Sequence, residues 1–280
     1  LGLEVFVRED RGHCASCHTG SEFTSASVIA RALAPDGGPF DPDMEAVVPP
    51  EPFERMRMAD GNVAVYDGGF YNIGVTDTEM DLCVGADLEG FPLSYSRQAA
   101  LAQIADLEAG QDAAGDEGDF AIVGGPVQLG ERVGVDGACK TPTLRNVELT
   151  APYFHNGGHS TLDQVVIDYM TKFNRLYVQD NLENISPDIL AVDIQGLAFD
   201  GVSIRGGEIQ ALIAFMKSLT DERVRLHQAP FDHPSLAVPN GQIAIDRNRD
   251  GAADDIRLLI PATGGTSGLT APLPKFLNLD

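Results

Sequence analysis

Residues 11–20 read RGHCASCHTG, which puts Cys14, Cys17 and His18 within five positions of a chain that has only 4 cysteines. A C-x-x-C-H run is the spacing at which two thiols add across the vinyl groups of a haem while the next residue offers an imidazole to the iron. Two other chemistries use paired cysteines. Structural zinc needs two further ligands at compatible spacing, and Cys83 and Cys139 are lone residues without a C-x-x-C partner. A thioredoxin-like dithiol follows a strand in a βαβ unit, and no such unit is visible in this sequence. The spacing therefore predicts haem c on Cys14 and Cys17 with His18 as proximal ligand, zinc and dithiol chemistry being the alternatives. His13 reads as a solvent-facing histidine at the end of a first helix.

Working outward, the 280 residues suffice for one large domain or two small ones, and 43% hydrophobic residues exclude wholesale disorder. Forty-two acidic against 19 basic residues leave a net charge of −23. Such a surface repels nucleic acid and anionic lipid and favours basic partners and cations. Glycine and proline, 30 and 17 residues, make about 17% of the chain against an ordinary level of about 12%, so long ordered loops are expected. No apolar run is long enough to span a membrane. The opening LGLEVFVRED lacks a signal-peptide pattern and reads as an amphipathic helix with Leu3, Phe6 and Val7 on one side.

Haem c is attached on the oxidising side of a membrane, so a periplasmic or extracellular setting is expected. There Cys83 and Cys139, both in loop-rich sequence, would pair as a disulfide stabilising by roughly 2–4 kcal/mol; two unrelated buried thiols are the alternative. Further on, SYSRQAALAQIADLEAG reads as a helix. Leu162, Val165, Val166 and Tyr169 then recur at helical spacing behind a capping box approximated by Ser160 and Asp163. Ile209, Leu212, Ile213, Met216 and Leu219 form the apolar stripe of another helix, closed by Thr220 and Asp221.

In order, RGHCASCHTGSEFT, FYNIGVT, KTPTLRNVELTAPYFHNGGHSTLDQVV and LIAFMKSLTDERV resemble the carboxy-terminal haem domain of bacterial dihaem cytochrome c peroxidases and their MauG-like relatives. The resemblance runs in patches to about residue 225. It implies a mainly α fold: a cytochrome c-like haem domain with long ordered loops over residues 1–221, followed by an extension over 222–280. It further implies that this haem passes electrons to a second haem that reduces hydrogen peroxide, or, in MauG-like relatives, that electrons are drawn from a protein substrate. The sequence departs from the pattern in having one C-x-x-C-H and no tryptophan. The second haem domain is therefore expected upstream in the same protein or in a partner chain, with a basic donor cytochrome or a protein substrate as the other partner. A monohaem, non-enzymatic electron carrier is the competing class, and a calcium-dependent binding protein a third.

The family's distal ligand lies fourteen residues after the histidine of its PYFH motif. From His155 this lands on Tyr169, with Met170 the fallback one residue on and Met56, Met58 and Met80 further candidates. The resemblance also gives Thr150 and Pro152 backbone ligation of an interdomain calcium, and places Arg145 and His155 at the haem propionates or the interdomain region. In the tail, Asp246, Asn248, Asp250 and Gly251 stand at offsets one, three, five and six of an oxygen-ligand calcium loop, with Asp254 at nine, but Arg257 replaces the usual glutamate. An acidic solvated turn is the alternative. The flanking QIAI and IRLLI alternate like the strands of a small β-hairpin, and His227 and His233 read as surface loop residues.

Overall fold

The computed structural model describes residues 1–8, 11–27, 53–108, 127–170, 182–186, 206–242 and 255–272. Its helices are α1 (Gly2–Val7), α2 (Tyr95–Glu108), α3 (Leu162–Met170), α4 (Gly206–Ser218) and α5 (Glu222–Arg225). Among the described residues none is long and apolar enough to cross a membrane.

The apolar stripe of α4 buries Leu212, Ile213 and Met216 against Val5 and Phe6 of α1, Leu162 and Val166 of α3, and Leu144 and Val147 between them. Phe6 completes this core by packing its ring 5.2 Å from that of Phe215 and 5.9 Å from that of Phe23. The expected inner face of α1 is corrected here: Leu3 and Val7 are 55% and 49% exposed, and Val5 and Phe6 face inward. Gly2 supplies the reason. A Cβ at Gly2 would lie 2.1 Å from the Ala211 carbonyl oxygen, so α1 meets α4 along the Gly2, Val5, Phe6 edge at i, i+3 and i+4.

The cap of α3 also moves by one residue. Thr161 Oγ1 accepts the Gln164 amide at 3.2 Å, while Gln164 Oε1 accepts the amides of Ser160 at 2.7 Å and Thr161 at 3.1 Å. Because the helix begins at Leu162, its third residue is Gln164, and the reciprocal box is Thr161 with Gln164. Asp163 instead accepts from Gln210 Nε2 of α4 at 3.1 Å.

A second core is built from short antiparallel pairs. β1 (Phe53–Arg57) pairs with β2 (Val63–Asp67), β3 (Phe70–Tyr71) with β6 (Cys139–Lys140), and β4 (Asp87–Leu88) with β5 (Phe91–Pro92). Met58, Ala64, Tyr66, Val135 and Ala138 are buried between them. Polar clips do much of the joining. The buried Asp67 carboxylate caps α2, accepting from the amides of Tyr95 and Ser96 at 2.8 Å each and from Ser94 Oγ at 3.0 Å. Arg55 and Glu131 form a buried two-pronged ion pair, one arm at 2.8 Å. Cys83 and Cys139 are joined as a disulfide with Cα atoms 5.0 Å apart, closing 56 residues.

In the tail, β7 (Leu236–Gln242) pairs with β8 (Asp255–Ile260) as an antiparallel hairpin. The residues proposed for calcium between them, Asp246, Asn248, Asp250 and Asp254, lie outside the described residues.

Candidate functional site

The C-x-x-C-H run folds as a 3-10 turn over Cys14–Ser16, closed by the His18 amide on the Cys14 carbonyl at 2.9 Å. α1 stops at Val7, so His13 is not at its end; it sits with φ 49° immediately before the turn. Gly12 lets the two segments meet. Its amide donates to the Val5 carbonyl at 2.8 Å, and a Cβ there would stand 2.5 Å from that oxygen. Cys14, Ala15 and Phe23 pack on the apolar core of α1, α3 and α4, and neither Cys14 nor Cys17 is bridged to another cysteine.

His18 is held from both sides. Its Nδ1 lies 3.1 Å from the Phe23 carbonyl and 3.1 Å from the Pro142 carbonyl. Carbonyls only accept, so Nδ1 carries the hydrogen and Nε2 presents a lone pair. Burial pushes the pKa of His18 below the ordinary histidine value, outweighing the two carbonyl bonds that raise it, which favours the neutral ring, the form able to bind a metal.

The Pro142 side of this clamp is the segment KTPTLRN. Thr24 Oγ1 donates to the Thr141 carbonyl at 2.6 Å, Thr143 Oγ1 to the Glu22 carbonyl, and Arg145 Nε to the Ser21 carbonyl at 2.7 Å. The residues after the cysteine motif and the distant TPTLR stretch therefore form one surface. Arg145, expected at the propionates, lies on it.

Two residues of this site escaped sequence reasoning. Tyr71 accepts from Ser25 Oγ at 3.4 Å, and the Ser25 amide donates to the Cys17 carbonyl at 2.9 Å. The ring of Tyr66 packs 5.7 Å away and its hydroxyl donates to Glu54 at 2.5 Å. Burial first, then neighbouring groups that include Cys17 for Tyr71 and Glu54 for both, hold these phenols far above their ordinary pKa. Tyr71 stood inside the FYNIGVT patch; a pair contributed by two strands leaves no local pattern.

Tyr169 lies near the end of α3, half-buried, its ring 5.9 Å from that of Phe154. Met170, the fallback ligand, is the last residue of the same helix. Met58 fills the second core, Met56 packs against it, and Met80 is 83% exposed. Thr150 follows a 3-10 turn over Val147–Leu149, its hydroxyl on the Val147 carbonyl at 3.0 Å, and Pro152 is exposed nearby. The His155 ring is turned to Asp81, with Nε2 2.5 Å from Oδ2. His227 and His233, expected as surface loop residues, face each other with Nδ1 and Nε2 2.6 Å apart. Burial, and then His233, lower the pKa of His227.

A thiol pair and a metal-ready imidazole on one turn, sunk into apolar helix packing, are the attachment features of c-type cytochromes. The comparisons with known proteins agree with that class. The chain is 49% identical over 47 residues to a cytochrome c551 peroxidase of Nitrosomonas europaea, covering 16% of this chain and 14% of that protein. It is 31% identical over 96 residues to the methylamine utilization protein MauG of Paracoccus denitrificans, covering 31% of this chain and 24% of the relative. The chain thus spans less than a quarter of the length of either relative. A solved structure of a MauG-like protein associated with microbial copper homeostasis aligns over 82% of this chain and 45% of its own, at 21% identity and a TM-score of 0.37. No protein-family model matches. Over these short stretches the chain is similar to proteins named cytochrome c peroxidase and MauG.

Proposed function

We propose that the chain is the electron-transfer haem unit of a cytochrome c peroxidase or MauG-like enzyme working outside the cytoplasm, with a mainly α cytochrome c-like architecture over residues 1–221. The observation that carries this reading is the His18 ring, tied by Nδ1 to two carbonyls beside Cys14 and Cys17. Bound haem supplies one-electron exchange at its iron; the chain holds, orients and shields it. Cys14 and Cys17 would form the thioether links, and His18 would ligate the iron. Arg145 would pair with a propionate or line the interdomain region, whereas His155, turned to Asp81, would serve the interdomain region. Tyr169 would be the further iron ligand, and its phenolate would favour the ferric state. Thr150 and Pro152 would offer carbonyls to a calcium shared with the second haem domain, and Asp246, Asn248, Asp250 and Asp254 would hold another. The −23 charge suits docking of a basic donor cytochrome.

Stopped-flow mixing of the holoprotein with a reduced basic cytochrome tests both halves of this reading. Electron arrival at the haem is expected, slowing as salt is raised. Tyr169→Phe is expected to change the low-spin ferric spectrum, whereas Met170→Leu leaves it intact. No electron arrival contradicts the transfer role, and unchanged Tyr169→Phe bands contradict phenolate ligation.

A further inference from the structure

Outside the haem site, three segments of chain converge on the disulfide. Asp81 and Cys83 come from the turn after the 3-10 residues Thr78–Met80, Cys139 from β6, and His155 from the loop after Pro152. One ligand atom from each of the four lies within 4.8 Å of all the others. Besides the sulfur–sulfur bond itself, His155 Nε2 lies 2.5 Å from Asp81 Oδ2, and Asp81 Oδ1 lies 3.4 Å from Cys83 Sγ.

Backbone contacts independent of the sulfur–sulfur bond hold the two cysteines opposite each other. Tyr71 pairs with Cys139 in the β3–β6 ladder, Cys83 bridges to Ala138, and the Val84 amide donates to the Ala138 carbonyl at 3.1 Å. Opening the disulfide therefore leaves both sulfurs beside His155 and Asp81. Asp81, Cys83 and Cys139 are half-buried and His155 is exposed, so a reductant and an ion can reach them.

We propose that reduction of Cys83–Cys139 creates a four-coordinate zinc site from Asp81, Cys83, Cys139 and His155, so that the disulfide and the metal are alternative closures of the same lobe. Two thiolates, an imidazole and a carboxylate are zinc's ligand types. Zinc–sulfur bonds of about 2.3 Å and zinc–nitrogen or zinc–oxygen bonds of about 2.0–2.2 Å place tetrahedral ligand atoms roughly 3.3–3.8 Å apart, inside the observed spread. The mixed sulfur and nitrogen set disfavours calcium and magnesium, which take oxygen.

The chemistry balances with a dithiol as reductant. The disulfide bond breaks as it gains two electrons and two protons, and the dithiol becomes a disulfide. Zinc then displaces the two thiol protons; in the reverse direction a disulfide oxidant takes the two electrons, becomes a dithiol as it gains two protons, and the ion is released as the sulfur–sulfur bond reforms.

The test uses the holoprotein, in which haem thioethers occupy Cys14 and Cys17 and only Cys83 and Cys139 yield thiols on reduction. Oxidised and reduced samples are dialysed against zinc chloride, and bound zinc is read by mass spectrometry and X-ray absorption. Reduction is expected to add about one zinc per chain with two sulfur and two lighter ligands. His155→Gln and Asp81→Asn, which keep the disulfide and so can be checked for folding in the oxidised state, are expected to weaken the reduction-dependent uptake roughly tenfold or more. The proposal is overturned by equal zinc in both redox states, by no uptake after reduction, by a sulfur-free zinc shell, or by folded variants that bind as tightly as the parent.

Discussion

The two cores of this molecule are held together by different means. Around Cys14, α1, α3 and α4 meet through Phe6, Leu162, Val166, Leu212 and Met216, apolar side chains at helical spacing. Around the Cys83–Cys139 bridge, short strands meet through buried polar clips: Asp67 on the start of α2, Arg55 on Glu131, and Asn72, whose Nδ2 donates to the Asp136 carbonyl at 2.9 Å. The first region depends on area removed from water, the second on each polar group keeping its partner.

The largest expected effects come from breaking each core in its own way. Glu131→Ala leaves the Arg55 guanidinium buried without its carboxylate and is expected to cost about 3–5 kcal/mol, whereas replacing both partners with methionine costs far less. Leu212→Ala in the helical core is expected to lose about 2–5 kcal/mol. Chemical denaturation of the folded variants checks both. A double variant as unstable as Glu131→Ala alone contradicts the polar account of the second core.

A smaller effect sharpens the description of α3. Thr161→Ala removes the acceptor of the Gln164 amide and is expected to cost about 1 kcal/mol, while Ser160→Ala, which removes no bond made by the Ser160 hydroxyl to the helix start, is expected to be near neutral. Equal losses contradict the one-residue shift of the cap.

The smallest effect is pH-dependent. Burial tends to raise the pKa of Asp60, but hydrogen bonds from Arg132, at 2.6 Å, and from Asn62 outweigh it and hold the carboxyl at about 2, below its ordinary 3.8. A depressed folded-state pKa means that this contribution is complete above the unfolded value and is lost as pH falls from about 4 toward 2. Asp60→Asn is expected to flatten that part of the acid unfolding curve.

The same contrast explains what was legible in the sequence. Ile209, Leu212, Ile213 and Met216 announce α4 because a helix face repeats every three to four residues and apolar burial repeats with it. Cys14, Cys17 and His18 are close in sequence, so their grouping is visible before any fold is known. The facing of α1 was misjudged because hydrophobicity marked Leu3 and Val7, while the contact was decided by the absence of a side chain at Gly2. β3 to β6 are two residues each, too short for any alternation to register, and the β3–β6 pairing is non-local. The Tyr66–Tyr71 stack, the His18 clamp by Pro142 and the gathering of Asp81 and His155 at the disulfide depend on that pairing or on loop closure. Only the folded chain brings them together.

The central claim is that Cys14, Cys17 and His18 hold a covalent haem. The most direct measurement is intact mass under denaturing conditions with a pyridine haemochrome spectrum, on protein made in a haem-attaching host. The account predicts one haem that stays with the chain after unfolding and is lost as a covalent adduct in a Cys14→Ser, Cys17→Ser variant. A colourless chain, or one whose Cys14 and Cys17 are alkylated as ordinary thiols, contradicts it.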